Sequence, residues 1–253
     1  MDSSPSSSVD NYASYAVFYD AAKDGRTARI RRIQQLLDEY MPTCTSVLEL
    51  ACGTAAILAG LDERYTKVGL DNSPAMLEHA RKKLPTATLI LGDMAELRLD
   101  RTFDAIFCTF NSIDHLPDFA AWRRMFQGVA EHLNPGGVFI FDTNSRERLA
   151  ELAAQHTWHA PMLHGLGWIM STVYALSNDT ISWRIGHVVD GGMKYHQTLR
   201  LRTYDPERIK AALQRHFAIL DIQTFSGDPM KQEDAGRIYF ICRKPISPDS
   251  QEA

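Results

Sequence analysis

The ten residues Ser46–Ala55, which read SVLELACGTA, decide the fold of this chain. Their first half is a short apolar run, and their second half is a turn of small residues around Gly53. This pattern predicts a buried strand that leads through a tight turn into a helix. Small side chains let the backbone of such a turn approach a ligand, and exposed amides at the following helix start can hold a carboxylate. The alternative interpretation is a structural strand–helix turn.

Outward from this stretch, apolar runs and helical patterns alternate along the chain. Helices are predicted at 28–40, 74–83, 118–133 and 206–216, and strands at 46–50, 67–70, 88–91, 103–110, 138–141, 217–225 and 236–243. The run Asn134-Pro135-Gly136-Gly137 is predicted to separate a helix from a strand. Short strands that are apolar on both faces indicate a mostly parallel sheet with helices on both sides. The fold class is therefore α/β and Rossmann-like, and its last strand is expected to be antiparallel.

Residues 168–203 break this alternation. Apolar residues recur at every second position there, as in Ile181, Trp183 and Ile185, and Asp190-Gly191-Gly192 is a hairpin-turn signal. The pattern predicts an antiparallel β insert after strand five. The expected organisation is a disordered tail at 1–9, a core with an N-terminal helical cap at 10–145, the insert at 146–203 as a ligand-binding lid, a return to the core at 204–244, and a tail at 245–253.

Composition excludes several classes of function. The 253 residues carry 27 basic and 31 acidic side chains, a net charge of −4, so nucleic acid and anionic membranes are not favoured partners. No apolar stretch approaches the ~20 residues of a membrane-spanning helix, and the N-terminus does not have the pattern of a signal peptide. The four cysteines are far apart, which predicts reduced, mostly buried thiols in a cytoplasmic protein.

Acidic residues follow two of the predicted strands. Ligands of parallel sheets bind at the carboxyl ends of the strands, near the switch in strand order. Asp71 ends the second strand, where a carboxylate can accept hydrogen bonds from both ribose hydroxyls of a nucleoside. The alternative for Asp71 is a charge favoured by the N-terminus of the next helix. Asp93 follows the third strand and can accept from an adenine amine, with Met94 covering the ring.

Five segments in order resemble the class I S-adenosylmethionine (SAM) dependent methyltransferases: LELACGTA, GLDNSPAMLEHARKKLP, LILGDMAEL, FDAIFCTFNSIDHL and LNPGGVFIFDTN. The resemblance covers about residues 12–145, and it is nearest to small-molecule enzymes such as the sugar-nucleotide amine N,N-dimethyltransferases. It implies the class I methyltransferase sheet, SAM as the cofactor, and in-line transfer of a methyl group to a nitrogen or oxygen nucleophile of a small-molecule acceptor.

The resemblance also implies cofactor contacts, one position at a time. The implied set is Tyr19 as a cap over the cofactor, Ala51 and Gly53 at the methionine part, Asp71 at the ribose with Asn72 and Met76 nearby, Asp93 and Met94 at the adenine, Phe110 and Asn111 beneath the sulfonium, and Glu49 as a further cofactor contact. The family usually has glycine at the positions of Ala51 and Ala55. If φ is positive at Ala55, an alanine there is strained.

His115 is the first candidate for a general base, because it follows strand four and an ordinary histidine pKa near ~6.5 suits proton removal. The alternative for His115 is a loop-bracing role. Asp114 is the second candidate, and its alternative is a hydrogen-bonding role in the loop. Tyr15 and Tyr19 could orient an amine or hydroxyl, or could simply pack. A base is needed only when the nucleophile must lose a proton.

Two groups in the insert have open interpretations. The first, His156, His159 and His164, could form a wall of the acceptor pocket or could pack; its spacing matches no metal pattern, so no metal site is expected. The second, Arg184, Arg200 and Arg202, could hold a phosphate or carboxylate of the acceptor, or could form a solvated strand face. Exposed strand edges of the insert could also pair two chains into a homodimer.

Two other functions compete with methyl transfer. An NAD-type oxidoreductase would need G-x-G-x-x-G after the first strand, where the chain reads Ala51-Cys52-Gly53-Thr54-Ala55-Ala56. A non-catalytic SAM-binding protein would keep Asp71 and Asp93 without turnover. The identity of the acceptor is not determined by these patterns.

Overall fold

The computed structural model describes residues 16–20, 26–161, 167–189, 192–224 and 236–246. Its helices are α1 Ala16–Tyr19, α2 Arg26–Tyr40, α3 Ala56–Gly60, α4 Pro74–Lys83, α5 Phe119–His132, α6 Arg146–Gln155 and α7 Pro206–Leu213, with 3₁₀ turns at Met94–Glu96 and Ser112–His115. Its strands are β1 Ser46–Leu50, β2 Thr66–Asp71, β3 Thr88–Leu91, β4 Phe103–Cys108, β5 Leu133–Asn144, β6 Thr157–Pro161, β7 Trp168–Ser177, β8 Thr180–Val189, β9 Gly192–Arg202, β10 Ala218–Thr224 and β11 Arg237–Arg243.

Seven strands form one sheet in the order β10-β11-β5-β4-β1-β2-β3. Strands β1 to β5 pair in parallel, and β11 runs antiparallel to both of its neighbours, β5 and β10. The predicted α/β class with an antiparallel last strand is thereby confirmed. The strand order reverses between β1 and β4, so their carboxyl ends open the crevice in which such sheets bind ligands.

Helices cover both faces of this sheet, each with its own apolar cluster. On one face Trp122 and Phe126 of α5 are fully buried with Phe139 and Phe141 of β5. On the other face α2 contributes Leu36 and Leu37. Each strand of the sheet centre is therefore apolar on both sides, which is why the sequence shows unbroken apolar runs there.

Two predicted boundaries were wrong for a backbone reason. Helix α5 ends just before the predicted breaker Asn134 to Gly137, but the next strand begins at Leu133 and not at Val138. Strand β5 includes the breaker residues as a bulge, where its pairing with β4 jumps from Leu133 to Val138. Strand β4 was predicted to reach Phe110 but ends at Cys108. Phe110 and Asn111 have φ of 59° and 50°, which a strand does not accommodate.

The predicted antiparallel insert is present as a separate four-stranded sheet in the order β6-β7-β8-β9. Strand β6 and the preceding helix α6 were not predicted. Helix α6 packs Leu149 and Leu152 against Val173, Ile181 and Leu201 of the insert sheet. The predicted hairpin connects β8 to β9, whose pairing reaches Val189 and Gly192, while residues 190–191 lie outside the described ranges.

The insert leaves the core and returns to it at one place. Asn144 is the last residue of β5, and the hydroxyl of Thr203, just after β9, donates to its carbonyl oxygen. The predicted tail at 1–9 lies outside the described residues, as does the predicted tail at 245–253 from residue 247 onward. All four cysteines are buried free thiols, as expected. Among the described helices, none has the length and apolar character to cross a membrane.

Candidate active site

A cavity of about 660 Å³ opens at the carboxyl ends of β1, β2 and β3. This volume is within the range of small-molecule sites. The residues predicted from the sequence that line the cavity are Tyr19, Ala51, Gly53, Asp71, Asn72, Met76, Asp93, Met94 and His115. Those that do not line it are Glu49, Phe110, Asn111 and Asp114.

The carboxylate of Asp71 joins the ends of β1 and β2. Its Oδ2 accepts from the Gly53 amide at 2.7 Å, and its Oδ1 accepts from the Ser73 amide at 2.8 Å. The side chain is 7% exposed. Asp71 is therefore held in place by the backbone on the wall of the cavity.

Asp93 is held in the same way at the end of β3. Its Oδ1 accepts from the Ala95 amide at 2.8 Å and so caps the 3₁₀ turn that begins at Met94. The Gly92 amide donates to the carbonyl of Asp71 at 3.0 Å, which fixes the two strand ends to each other. Gly53, Asp71 and Asp93 therefore converge on one cavity, as the sequence analysis required.

The turn after β1 uses the left-handed region three times. Ala51, Gly53 and Ala55 have φ of 54°, 54° and 57°. Ala55 therefore has the positive φ at which an alanine is strained, and so does Ala51. A Cβ added to Gly53 would lie 3.9 Å from Cε1 of Tyr19, in the space between the turn and the cap. This narrow backbone cradle, with two carboxylates beyond it, fits an adenosyl ligand.

Replacing Ala51 with glycine is expected to stabilise the protein by about 1 kcal/mol, because left-handed backbone disfavours an L side chain by a similar amount. Urea unfolding would measure the change. The matched control is Ala211→Gly on the exposed side of α7, which should cost about 1 kcal/mol. Destabilisation by both substitutions would contradict the strain assigned to Ala51.

Glu49 lies beneath this turn and not on the cavity wall. It is 3% exposed, and burial, assisted by the nearby charge of Asp71, raises its pKa well above the usual range, against hydrogen bonds with the Leu58 backbone and Thr109. Among the described residues its Oε2 has no hydrogen-bond partner. The structure thus places Glu49 as a buried support of the turn.

Asp114 is also below the cavity. Its carboxylate accepts from Thr143 Oγ1 at 2.6 Å and from the amide and Nδ2 of Asn144 at 3.1 and 2.7 Å. Burial raises the pKa of Asp114 to about 8, although these hydrogen bonds lower it. The residue is fully buried. Asp114 therefore links the 3₁₀ turn to the end of β5 and does not face the cavity as a base would.

Phe110 and Asn111 form the backbone elbow that precedes this turn. The Asn111 amide donates to Oδ2 of Asp142 at 2.9 Å, and the Arg29 guanidinium lies 4.0 Å from the centroid of the Phe110 ring. The elbow aims the 3₁₀ turn, and with it His115, at the cavity.

His115 lies on the cavity wall, as predicted, but its basicity differs from the sequence-based expectation. Burial lowers its pKa to about 4. The ordinary histidine value assumed from the sequence is therefore wrong, because the surrounding protein disfavours the imidazolium. The neutral ring can interact with an amine N–H at pH 7, as an uncharged group.

The remaining wall comes from β9, an edge strand of the insert. Thr198, Leu199, Arg200 and Arg202 line the cavity. Arg184 lies on β8 opposite Thr198 and does not line it. His156 and His159 contact Tyr174 and Trp168 at the opposite edge of the insert sheet, so they do not form the expected pocket wall. Tyr15 and His164 lie outside the described residues.

Gln197 is a residue that the sequence analysis missed. It is 8% exposed, and within the described part of the chain neither amide atom of its side chain has a hydrogen-bond partner. It lies on the same face of β9 as Leu199, which lines the cavity. An unpaired buried amide costs about 1–3 kcal/mol.

Within the described residues, no group of three histidine, cysteine or acidic side chains is placed to hold a metal ion.

Comparison with known proteins decides the family. A family model described as a methyltransferase domain matches residues 47–137. The dTDP-3-amino-3,4,6-trideoxy-alpha-D-glucopyranose N,N-dimethyltransferase of Streptomyces venezuelae is 32% identical over 203 residues, which are 78% of either chain. The chain belongs to the SAM-dependent methyltransferases.

Solved structures of methyltransferases share the fold. DesVI of Streptomyces venezuelae is similar with a TM-score of 0.73 and 26% identity, over 94% of this chain and 99% of that chain. A SAM-dependent methyltransferase of Clostridium acetobutylicum has a TM-score of 0.77 and 24% identity, over 92% and 99%. This methyltransferase therefore has the class I fold, uses SAM and methylates a small molecule, which confirms the expectation.

Proposed function

We propose that the cavity at the ends of β1, β2 and β3 is the SAM site, and that the acceptor is the amine of a nucleotide-linked amino sugar. The observation that carries the cofactor site is the Asp71 carboxylate, which the Gly53 and Ser73 amides fix at 2.7 and 2.8 Å on the same cavity as Asp93. Relatives support the acceptor.

Each side chain of the cavity then has a defined role. SAM, when bound, supplies an electrophilic methyl group on a sulfonium. Asp71 would accept from the ribose hydroxyls with Met76 nearby, Asp93 would accept from the adenine amine, and Met94 would cover the ring. Ala51 and Gly53 present backbone to the methionine part. Tyr19 closes the cavity from the N-terminal side, where its ring lies next to the Cα of Gly53 and would be 3.9 Å from a Cβ at that position.

The reaction needs positioning more than it needs a strong base. Holding two reactants in line is worth about 7–11 kcal/mol. A neutral alkylamine attacks without prior proton loss. His115, uncharged at pH 7 because burial lowers its pKa to about 4, can interact with an amine N–H without adding a positive charge beside the sulfonium. We therefore assign His115 to orientation of the acceptor amine.

The insert at 146–203 is proposed to bind the acceptor. The Streptomyces venezuelae relative is named for dTDP-3-amino-3,4,6-trideoxy-alpha-D-glucopyranose, and a Saccharopolyspora spinosa relative, 29% identical over 227 residues, for dTDP-4-amino-2,3,4,6-tetradeoxy-D-glucose. Arg200 and Arg202 stand at the cavity wall, where guanidinium groups suit a diphosphate. Gln197, buried and unpaired among the described residues, supplies an amide for a sugar hydroxyl.

Incubation with SAM and either of these two dTDP-amino sugars is expected to add first one and then two methyl groups to the amine. Mass spectrometry of the product would show the additions. Arg200→Gln and Arg202→Gln should each raise the acceptor KM about tenfold, as loss of a charge-assisted hydrogen bond predicts, with SAM affinity unchanged. Arg184→Gln on the neighbouring strand is the matched control and should leave KM unchanged. Methylation on oxygen would exclude the proposed acceptor, and so would a failure to methylate either of the two sugars.

A further inference from the structure

We infer that Asp20 is a positioning residue that holds Tyr19 over the cofactor by clasping three elements around the cavity. The inference rests on the proposed cofactor site. It concerns residues outside the set that the resemblance implied as cofactor contacts: Asp20, Arg26, Thr54 and Lys83. We call these four residues the clasp.

The Asp20 carboxylate contacts the other three residues of the clasp. Oδ1 of Asp20 accepts from Thr54 Oγ1 at 2.8 Å and pairs with Arg26 Nη1 at 2.6 Å. Its Oδ2 pairs with Lys83 Nζ at 2.6 Å. Lys83 also donates to Thr54 Oγ1 at 2.9 Å, so the ring of contacts closes. Thr54 belongs to the cofactor turn, Lys83 ends α4 and Arg26 begins α2.

The clasp sits next to the residue that it serves. Asp20 directly follows Tyr19, and Arg26 Nη2 donates to the Tyr19 carbonyl at 3.1 Å while its guanidinium lies 5.8 Å from the Tyr19 ring centroid. Helix α1 has four residues, Ala16–Tyr19. So short a helix is not stable alone, so contacts with the rest of the protein must determine where Tyr19 lies.

Two of the elements that the clasp joins, the turn after β1 and helix α4, line the cavity. Thr54 follows Gly53, whose amide is bound to Asp71. Helix α4 carries Met76 on the cavity wall and begins at Pro74, directly after Ser73, whose amide also binds Asp71. Asp20 therefore ties the cap to both sides of the ribose site at once, and a shift of Asp20 would open the cavity beside Tyr19.

The electrostatics favour a charged, salt-sensitive clasp. Burial alone raises the pKa of Asp20, but the hydrogen bonds from Lys83 and Thr54 and the charges of Lys83 and Arg26 outweigh it, so the pKa is lowered and the carboxylate is ionised at neutral pH. The Asp20 side chain is 37% exposed. Salt therefore reaches the clasp and screens it.

The experiment measures SAM affinity by titration calorimetry on Asp20→Asn and Lys83→Met at low and high salt. Each substitution should weaken SAM binding about tenfold at low salt, as expected for coupled contacts, and the double variant should be no weaker than either one. The wild-type affinity should fall with salt, and the variants should lose that dependence. Turnover at saturating SAM should keep its kcat while the KM for SAM rises.

Lys82→Met is the matched control. Lys82 is the neighbour of Lys83 on α4 and pairs with Glu78 on the exposed side of the helix, so its loss should not change SAM affinity. Asp20→Glu should restore most of the binding that Asp20→Asn loses. A lower melting temperature with wild-type SAM affinity and salt dependence would mean a merely structural clasp and would overturn the inference.

A further variant separates this inference from the proposed function. If Asp71→Asn binds SAM as the wild type does, the cofactor site is misplaced and both fail. If Asp71→Asn loses SAM while Asp20→Asn and Lys83→Met keep wild-type affinity, only the clasp is overturned.

Discussion

Replacement of Asp71 with asparagine is expected to weaken SAM binding by about two to four orders of magnitude. The charged carboxylate would no longer accept the hydrogen bonds from the two ribose hydroxyls, which are worth about 1.5–3 kcal/mol each. An amide has one oxygen, and the Gly53 and Ser73 amides compete for it once the carboxylate is gone. The residue is at a strand end, so the seven-stranded sheet should survive. Titration calorimetry gives the affinity, and the melting temperature without SAM reports the fold.

Asp62→Asn is the control for this substitution. Asp62 precedes β2 at its opposite end, where Oδ1 accepts from the Arg64 amide at 2.9 Å. It removes the same charge far from the cavity, so SAM affinity should stay at the wild-type value. Wild-type affinity in Asp71→Asn as well would show that the adenosyl group binds elsewhere.

Replacement of Asp142 with alanine is expected to lower the free energy of unfolding by about 3–5 kcal/mol, the effect of removing one partner from a buried ion pair. Asp142 is fully buried on β5, and its Oδ2 lies 3.6 Å from Nη1 of Arg237, whose side chain is 15% exposed. The same oxygen accepts from the amide of Asn111, which has a φ of 50°. Alanine leaves the guanidinium and the strained elbow without this acceptor.

Differential scanning calorimetry should show a fall in melting temperature of about 6–20 °C, given about 2–4 °C per kcal/mol for a chain of this size. Asp142→Asn should fall between alanine and wild type, since its amide oxygen can still accept from Asn111. Glu151→Ala, on an exposed i,i+3 pair of α6, should change stability by less than about 0.5 kcal/mol. An equally small change in Asp142→Ala would mean that Asn111 does not depend on the carboxylate.

Most of the residues that the resemblance assigns to the cofactor line one cavity, because the signals that indicate them are local. Asp71 and Asp93 follow apolar runs, and parallel topology alone brings the carboxyl ends of those strands together. Gly53 is indicated by the small residues around it. Nothing in these assignments depends on how distant side chains pack.

The sequence could not place residues whose direction depends on unusual backbone. Asp114 and His115 are adjacent, yet one is buried below the cavity and the other lines it. The elbow at Phe110 and Asn111 decides this. Phenylalanine gives no signal of a positive φ, and asparagine indicates one more weakly than glycine does. The lowered pKa of His115 likewise follows from burial, which no motif encodes.

Contacts between distant segments were also beyond local patterns. The clasp joins residues 20, 54 and 83, and each is an ordinary polar residue in its own stretch. Strand β9 reaches the cavity only because the insert docks with that edge toward the 3₁₀ turn of His115. The alternation of Arg200 and Arg202 indicated a shared strand face but not what that face would contact.

The hydrogen bond between Thr203 and Asn144 has a consequence for how this enzyme can diversify. The chain therefore leaves the core for the insert and returns to the core at neighbouring positions. Segments whose ends lie together are exchanged with little disturbance to the rest of a domain. Homologous enzymes can therefore change the compound that they alkylate by replacing the insert, while the core with the proposed SAM site is inherited unaltered.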